Sequence, residues 1–451
     1  MLDEVARYQI GHLMRENEVL RERLESVPGW LQFVCLHGRR FYWTLTRLVG
    51  LGHLHDGTKS SSAVGAGFAA AIKAADAAAL QRARRPEGVR ILIDATITAG
   101  AAYLSGIPRV VREISREAAR EGWAAPVVVE GGRFCFFPDG EPVAFRPGDR
   151  IVLLDAGWNA TATYRAALEA ACNAGAQAVL GVYDLVPIHY PGVTTLQTAL
   201  AFEDWFRKLM PFYSSAVAIS RATALEFDAW LRRSGEPRAD SIAVGWFHLG
   251  ADLDSRAPEK LGPPSNAAIV ARPFFLSVGT LEPRKGYAIA LDAMERAWAR
   301  GLDVNYVIVG RRGWSSDALA ARIAGHPEKN RRLFWLDNAD DAELARLYAA
   351  ARALVYPSIA EGFGLPLIEA AHFGAPIVAS DIPVFREIAG DRIDYFEVAN
   401  PDALAGALAA ALARPRVAQE IPCLTWRESA RALTDMIRNR DYQIACQKAQ
   451  T

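Results

Sequence analysis

Apolar residues fall in short continuous blocks along most of this chain, and between the blocks they recur at intervals of three and four. From Val89 onward, VRILIDAT (89–96), APVVVE (125–130), RIVLLDA (150–156), AQAVLGVYD (176–184) and SAVAIS (215–220) read as buried strands. IPRVVREISREAAREG (107–122) between them has the spacing of an amphipathic helix. A second series follows in FFLSVGT (274–280), NYVIVG (305–310), LFWLD (333–337), ALVYPS (353–358) and PIVAS (376–380), with helices at 286–300, 341–351 and 364–374. Short apolar strands alternating with helices predict an α/β protein whose mostly parallel sheets are covered on both faces. The Pro-, Gly- and Ser-rich stretch RAPEKLGPPSNAA (256–268) separates the two series. The expected domains are therefore 87–268 and 269–425, each doubly wound, with ligands at the carboxyl ends of the strands across a cleft.

The first 86 residues break this alternation and are expected to form a helical N-terminal extension. In residues 2–27, Ala6, Ile10, Leu13, Asn17, Leu20, Leu24 and Val27 occupy the a and d positions of three heptads, ended by Pro28-Gly29. Such a helix either pairs into a homodimer, with Asn17 favouring one register, or packs on its own domain. Residues 30–54 mix Trp30, Phe33, Phe41, Tyr42 and Trp43 with Arg39, Arg40 and Arg47, which suits a membrane interface or the body of the protein. The Ala-, Gly- and Ser-rich stretch from Ser60 to about Ala83 reads as a linker plus a weak helix.

Composition narrows the partners. Lys+Arg and Asp+Glu are both 51, so the zero formal charge gives no global argument for nucleic acid. The five cysteines (Cys35, Cys135, Cys172, Cys423, Cys446) are scattered and form no CxxC pair, which points to a reducing compartment and away from a disulfide frame or zinc site. With no apolar signal core and no apolar run of spanning length, the expected location is the cytoplasm.

Two segments carry candidate chemistry. In PSIAEGFGLPLIEAAHFGAPIVAS (357–380) a strand ends, Glu361 occupies a loop, and Gly362-Phe363-Gly364-Leu365-Pro366 leads into a helix bearing Glu369. Glycines there let backbone N–H groups approach a ligand, and the helix N-terminus favours phosphate oxygens. Glu361 is an acceptor-only carboxylate suited to sugar hydroxyls, and Glu369 is suited to both hydroxyls of a ribose. The plain alternative is a Gly-rich turn capping an ordinary helix. In FLSVGTLEPRKGYAIALDAM (275–294), Arg284 and Lys285 follow a strand and precede Gly286 at a helix start. Two adjacent cations neutralise a diphosphate, and they stabilise most the charge that grows as such a leaving group departs.

These residues resemble glycosyltransferase family 4, retaining enzymes of the GT-B fold. Glu361 and Glu369 match its E-x7-E motif, and Gly279-Thr280 with Glu282-Pro283-Arg284-Lys285-Gly286 matches its diphosphate-binding loop. The similarity runs from about Val89 to Trp426. It implies two Rossmann-like domains facing a cleft and a final segment, 426–451, whose helix crosses back to the first. By the same resemblance Glu361 contacts the donor sugar, Glu369 the ribose, and Arg284 and Lys285 the diphosphate. Phe363, Gly364 and Leu365 would contact sugar and phosphates, while Gly310, Arg311 and Asn338 would flank the nucleobase. Ser105-Gly106-Ile107-Pro108-Arg109 resembles the glycine loop that approaches the donor phosphates from across the cleft, with Arg109 assisting. Its alternative is ordinary Pro capping of a helix. Tyr183 stands where many relatives carry His, so that role does not transfer. Asp184 and His189 are left as candidates for the acceptor or its departing proton, with a merely structural His189 the alternative. Gly245–Gly250 resembles the loop near the interdomain crossing and is assigned no chemistry.

The implied reaction moves a hexose from a nucleotide diphosphate sugar to a hydroxyl with retention, by front-side displacement assisted by the leaving diphosphate. No Asp-x-Asp pair stands at a strand end, and cations take a metal's place, so metal independence and no cofactor are expected. GIPRVVRE, YDLVPIHYP and VGTLEPRKG resemble bacterial enzymes that build O-antigen, capsule or exopolysaccharide. Many of these use GDP-mannose or a GDP-deoxyhexose. The expected partners are thus a GDP-linked sugar and a saccharide or lipid-linked oligosaccharide acceptor, met peripherally on the inner face of the inner membrane. Two other readings stay open: a nucleotide-sugar epimerase or phosphorylase of the same fold, and a non-catalytic sugar-binding partner in a glycan-assembly complex.

Overall fold

The first sheet holds β1 (Ile91–Asp94), β2 (Ala125–Glu130), β3 (Arg133–Phe136), β4 (Arg150–Leu153), β5 (Gln177–Val182), β6 (Tyr213–Ala218) and β7 (Ala243–Trp246), in the order β3-β2-β1-β4-β5-β6-β7. All neighbours are parallel except β2 and β3, a hairpin turned by Gly131 and Gly132, both at positive φ. The second sheet holds β8 (Phe274–Val278), β9 (Asn305–Val309), β10 (Leu333–Leu336), β11 (Ala353–Tyr356), β12 (Ile377–Ser380) and β13 (Asp394–Phe396), all parallel, in the order β10-β9-β8-β11-β12-β13. The computed structural model describes residues 63–101, 106–190, 194, 196–251 and 262–444, within a unit that begins at Ser62. The heptad helix at 2–27 and the aromatic, basic segment at 30–54 lie outside the described residues.

Both sheets reverse their winding once. The first reverses between β1 and β4, and the second between β8 and β11. At such a point the loops on adjacent strands diverge to opposite faces, leaving a crevice at the carboxyl ends. Each sheet therefore offers one ready-made site.

Residues 63–84 correct the reading of linker and weak helix. They form helices Ala63–Lys73 and Ala77–Arg84, which pack against the helix Ile107–Glu121. Phe68 and Ile72, one turn apart, are fully buried, and Phe68 stacks on Phe137 at 4.8 Å between ring centroids. Two large side chains on one stripe anchor a segment that is otherwise mostly alanine and glycine.

The helix Ile107–Glu121 starts at Gly106 (φ 58) with Pro108 in its first turn and stops at Gly122 in the left-handed conformation. It buries Val110, Val111, Ile114 and Ala118. Against it lies the last described helix, Trp426–Asn439, opened by a capping box between Thr425 and Glu428. Trp426, Ala430, Leu433 and Ile437 form its buried stripe, worth about 1.5–3 kcal/mol for each of the larger side chains. Arg427 pairs with Glu121 at 2.9 Å, and the Ser429 hydroxyl donates to the His248 carbonyl at 2.7 Å. Beyond the helix, Val244 and Ile444 exchange backbone hydrogen bonds at the β7 edge. The chain thus crosses from the second half back to the first. One apolar cluster runs through both halves, linking Ile219, Phe247 and Leu249 to Phe274, Phe363 and Trp426.

Candidate active site

The crevice between β8 and β11 is built by two loops that touch through their backbones. After β8, Pro283–Lys285 make a single 3-10 turn, and Gly286 (φ 67) starts the helix Tyr287–Ala299. A Cβ on Gly286 would lie 2.0 Å from the Pro357 carbonyl oxygen, so only glycine lets the β8 loop seat against the β11 loop. The Ile359 N–H then donates to the Arg284 carbonyl at 2.8 Å. That contact holds Arg284 and Lys285 beside Ser358 and Glu361.

The side chains converge on one carboxylate. Glu361 Oε1 receives Lys285 Nζ at 2.5 Å and the Ser358 hydroxyl at 2.7 Å, while Oε2 receives Arg284 Nη1 at 3.0 Å. Arg284 Nε also donates to Glu282 at 3.0 Å, and Lys285 Nζ reaches the Tyr356 hydroxyl at 3.5 Å. Burial opposes the charge on Glu361, but Lys285 and Arg284 outweigh it and hold the carboxyl down at about 2. Burial, joined by the neighbouring Arg284 charge, pulls Lys285 below the usual lysine range. Arg284, also resisted by burial, is raised by Glu361 and Glu282. Two cations with their carboxylate partners in a water-poor crevice form a site where an arriving anion meets strong, poorly screened charge.

Other expected site residues surround this cluster. Gly279 and Gly310 follow the adjacent strands β8 and β9, and a Cβ on Gly310 would fall 1.9 Å from the Gly279 carbonyl oxygen. Tyr287 and Trp335 donate to the carbonyls of Gly279 and Gly310 at 2.6 and 2.8 Å. Thr280 is half-buried in the same loop. Asn338 is exposed after β10, two strands from β8, and therefore lies at the rim. Gly364 (φ 107) starts the helix Leu365–His372, and Leu365 is half-buried. Phe363 is 4% exposed, and its ring sits 5.7 Å from the His248 ring, in the core between the halves.

The first half reaches this crevice at three places. Glu369, 3% exposed, receives Arg109 Nη1 at 2.6 Å on Oε1 and the Tyr348 hydroxyl at 2.9 Å on Oε2. The Gly362 carbonyl accepts from the hydroxyls of Ser220 and Thr223 at 2.7 and 3.1 Å. A Cβ on Gly362 would lie 1.7 Å from the Tyr183 carbonyl oxygen, so the two halves meet there backbone to backbone. Asp184, beside that contact, accepts from the Val186 N–H at 3.1 Å. Burial raises its carboxyl, with Arg284 opposing and Glu361 and Glu226 adding to the rise. His189 is half-buried, its Nδ1 against Glu226.

Two further groups carry no signal in a linear reading. Glu387 accepts from the backbone N–H groups of Arg221 and Ala222, both at 2.7 Å, and meets His248 Nε2 at 2.7 Å. It caps, from the second half, a helix of the first. Asp94 ends β1 and Asp155 follows β4, where the first sheet reverses. Asp94 accepts from Tyr164 and Thr96, and Asp155 from Thr98 and the Ala156 N–H. Burial, then repulsion from Asp155, raises Asp94 to about 7; burial raises Asp155 to about 6 against its hydrogen bonds. The adjacent Tyr183 hydroxyl is buried without a hydrogen-bond partner. Among the described residues no cluster of three or more His, Cys, Asp or Glu could hold a metal ion, and no helix is long and apolar enough to cross a membrane.

Solved structures share this architecture. Sucrose-phosphate synthase from Thermosynechococcus elongatus superposes with a TM-score of 0.52 at 18% identity, over 79% of this chain and 98% of that one. Anabaena HepE in complex with UDP and glucose gives a TM-score of 0.52 at 19% identity, over 78% and 97%. The model of the family described as "Glycosyl transferases group 1" matches residues 263–432. The chain thus has the GT-B fold, and its likeness to the group 1 glycosyltransferases covers residues 263–432.

Among curated relatives, the serotype-specific mannosyltransferase WbdA of Escherichia coli is 35% identical over 374 residues, covering 76% of this chain and 46% of its own length. The O-antigen chain mannosyltransferase B of Escherichia coli is 31% identical over 199 residues, covering 43% and 49%. The chain thus spans about half the length of the curated relatives it matches.

Proposed function

We propose that this chain is a retaining hexosyltransferase that moves mannose, or a related deoxyhexose, from a GDP-sugar to a hydroxyl of a saccharide or lipid-linked oligosaccharide in bacterial surface-polysaccharide synthesis. It works peripherally on the inner face of the inner membrane. The observation that carries the reading is the Arg284–Lys285–Glu361 cluster at the reversal point of the second sheet. The names of the mannosyltransferase relatives support the sugar and the pathway class.

In this reading the donor diphosphate takes Arg284 and Lys285 as counter-charges, and Glu361, ionised throughout the working range, turns to the sugar hydroxyls. As the anomeric bond stretches, negative charge grows on the leaving diphosphate, and the two cations stabilise it more than they stabilise the bound donor. The same diphosphate accepts the acceptor hydroxyl's proton, on the face from which it leaves. Charge that a metal supplies elsewhere comes here from the two side chains, so the reaction is metal-independent.

The test is a donor panel of UDP-, GDP-, ADP- and dTDP-sugars with the purified protein in EDTA, reading slow donor hydrolysis and thermal shift. A response to a GDP-sugar that persists in EDTA and disappears in Glu361→Ala and Lys285→Ala supports every part of the reading. A response to a different nucleotide overturns the GDP assignment, and dependence on added divalent metal overturns metal independence.

A further inference from the structure

Glu369, the carboxylate suited to a ribose, is already occupied by the opposite half of the protein. Its oxygens hold Arg109 at 2.6 Å and Tyr348 at 2.9 Å, and its side chain is 4% exposed. A carboxylate keeps spare lone pairs beside two bonds, but at this burial a sugar can reach them only by displacing a neighbour. The neighbours differ in kind. Tyr348 lies on Asp341–Ala350 in the same half as Glu369. Arg109 crosses the cleft from the first turn of Ile107–Glu121 and is partly solvent-accessible, at 19%.

Arg109 is also under-used where it stands. A guanidinium has five N–H groups, and among the described residues Arg109 makes one hydrogen bond, to Glu369. Arg90, buried elsewhere in the first half, instead engages Asp149 through two nitrogens and the carbonyls of Arg84 and Ala144. The helix that carries Arg109 starts at Gly106 with no side-chain cap, and its first ladder bond runs from the Val110 N–H to the Gly106 carbonyl at 3.3 Å, so the N–H groups of Ile107 and Arg109 lie ahead of that ladder, at the end that attracts an anion.

We propose that Arg109 is a latch across the cleft: it occupies Glu369 in the free protein, gives way to the two ribose hydroxyls of the donor, and then pairs with the donor's phosphates beside its helix N-terminus. The inference rests on the donor reading above and adds a specificity to it. A ribose with both hydroxyls replaces the bond that Arg109 gives up; a 2′-deoxyribose replaces it poorly. Recognition of the ribose thereby releases the charge that grips the phosphates, and ribonucleotide donors are selected over deoxyribonucleotide donors.

The experiment measures, by calorimetry, binding of GDP, UDP and ADP, the matching nucleosides and their 2′-deoxy forms to wild type and to Arg109→Met. Removing the latch is expected to tighten the nucleoside roughly tenfold, while the preference for diphosphate over nucleoside shrinks by a similar factor. The 2′-deoxynucleoside should gain less than the nucleoside. A structural role alone would weaken all ligands together. Nucleoside affinity unchanged or weakened in a folded Arg109→Met, with wild type binding GDP, overturns the latch and leaves the donor reading standing. Wild type binding none of the three diphosphates overturns both. Arg109→Gln, which keeps bulk and polarity, is read by the same ratios if the Met variant fails to fold.

Discussion

Lys285 Nζ stands 2.5 Å from Glu361 Oε1, so the cation suited to a diphosphate and the carboxylate suited to a sugar neutralise one another until a ligand comes between them. Removing one partner leaves the other buried with less compensation, which is costlier than removing both. Lys285→Met and Glu361→Gln are each expected to lower stability by about 2–3 kcal/mol, and the double variant by less than their sum. Urea unfolding of the four proteins measures the coupling. Turnover in Lys285→Met should fall about 100- to 1000-fold, the cost of losing one preorganised charge.

Glu361 also sets an acid limit. Its carboxyl is held at about 2, below the value of about 4.3 in an unfolded chain. A lowered carboxyl contributes stability above the unfolded value and loses it as pH falls towards the folded one. Wild type should therefore lose stability between about pH 4.5 and 2 more steeply than Glu361→Gln, as thermal melts across that range would reveal.

The Asp94–Asp155 pair acts in the opposite sense. Both are raised, to about 7 and about 6, so their contribution is fully present below about pH 4 and is lost as pH climbs through those values. Asp94→Asn removes one titrating group and keeps an acceptor for Thr96. Between pH 5 and 8 its stability relative to wild type should rise by at least about 1 kcal/mol, and melts at the two pH values test this.

Gly362 has no room for a side chain because the Tyr183 carbonyl would lie 1.7 Å from its Cβ. Gly362→Ala must push the halves apart at the crevice. Turnover should drop on the order of 100-fold through misplacement, and scattering should register a larger radius. Gly406→Ala is the control, since it lies within the helix Pro401–Ala413 with open space around it. That change should be neutral or stabilise by about 0.5–1 kcal/mol.

Glu387 ties together a helix start and a histidine in the other half. Glu387→Ala leaves two N–H groups and His248 without their acceptor, at a cost of about 2–3 kcal/mol. Denaturant titration should give that loss, and His248→Ala combined with it should add little.

Much of this was readable along the chain. β1, β8 and β9 are continuous apolar runs flanked by turns, and burial on both faces of a parallel sheet requires such runs. β3, β7 and β13 were not predicted, because their three or four residues include Arg133, Gly245 or Asp394 and form no apolar run that stands out from a loop. Ala63–Lys73 read as linker plus a weak helix because Phe68 and Ile72 are its only bulky buried residues. Arg284, Lys285 and Glu361 were legible since their loops have a recognisable spacing. Asp94 and Asp155 were not: they lie far apart in the chain, and only the pairing of β1 with β4 brings them together. The engagement of Glu369 by Arg109 depends on how the halves meet, which no local pattern encodes.

The helix Trp426–Asn439 makes the divisions in sequence and in space disagree. Its first half falls at the end of the matched group 1 region, yet it packs on Ile107–Glu121. A chimaera that swaps the donor half between relatives at the usual sequence boundary would import a helix shaped for another protein's first half. Its apolar stripe of Trp426, Leu433 and Ile437 would then face a foreign surface. The interchangeable module ends before Thr425, and the final helix travels with the half it follows least closely in the chain.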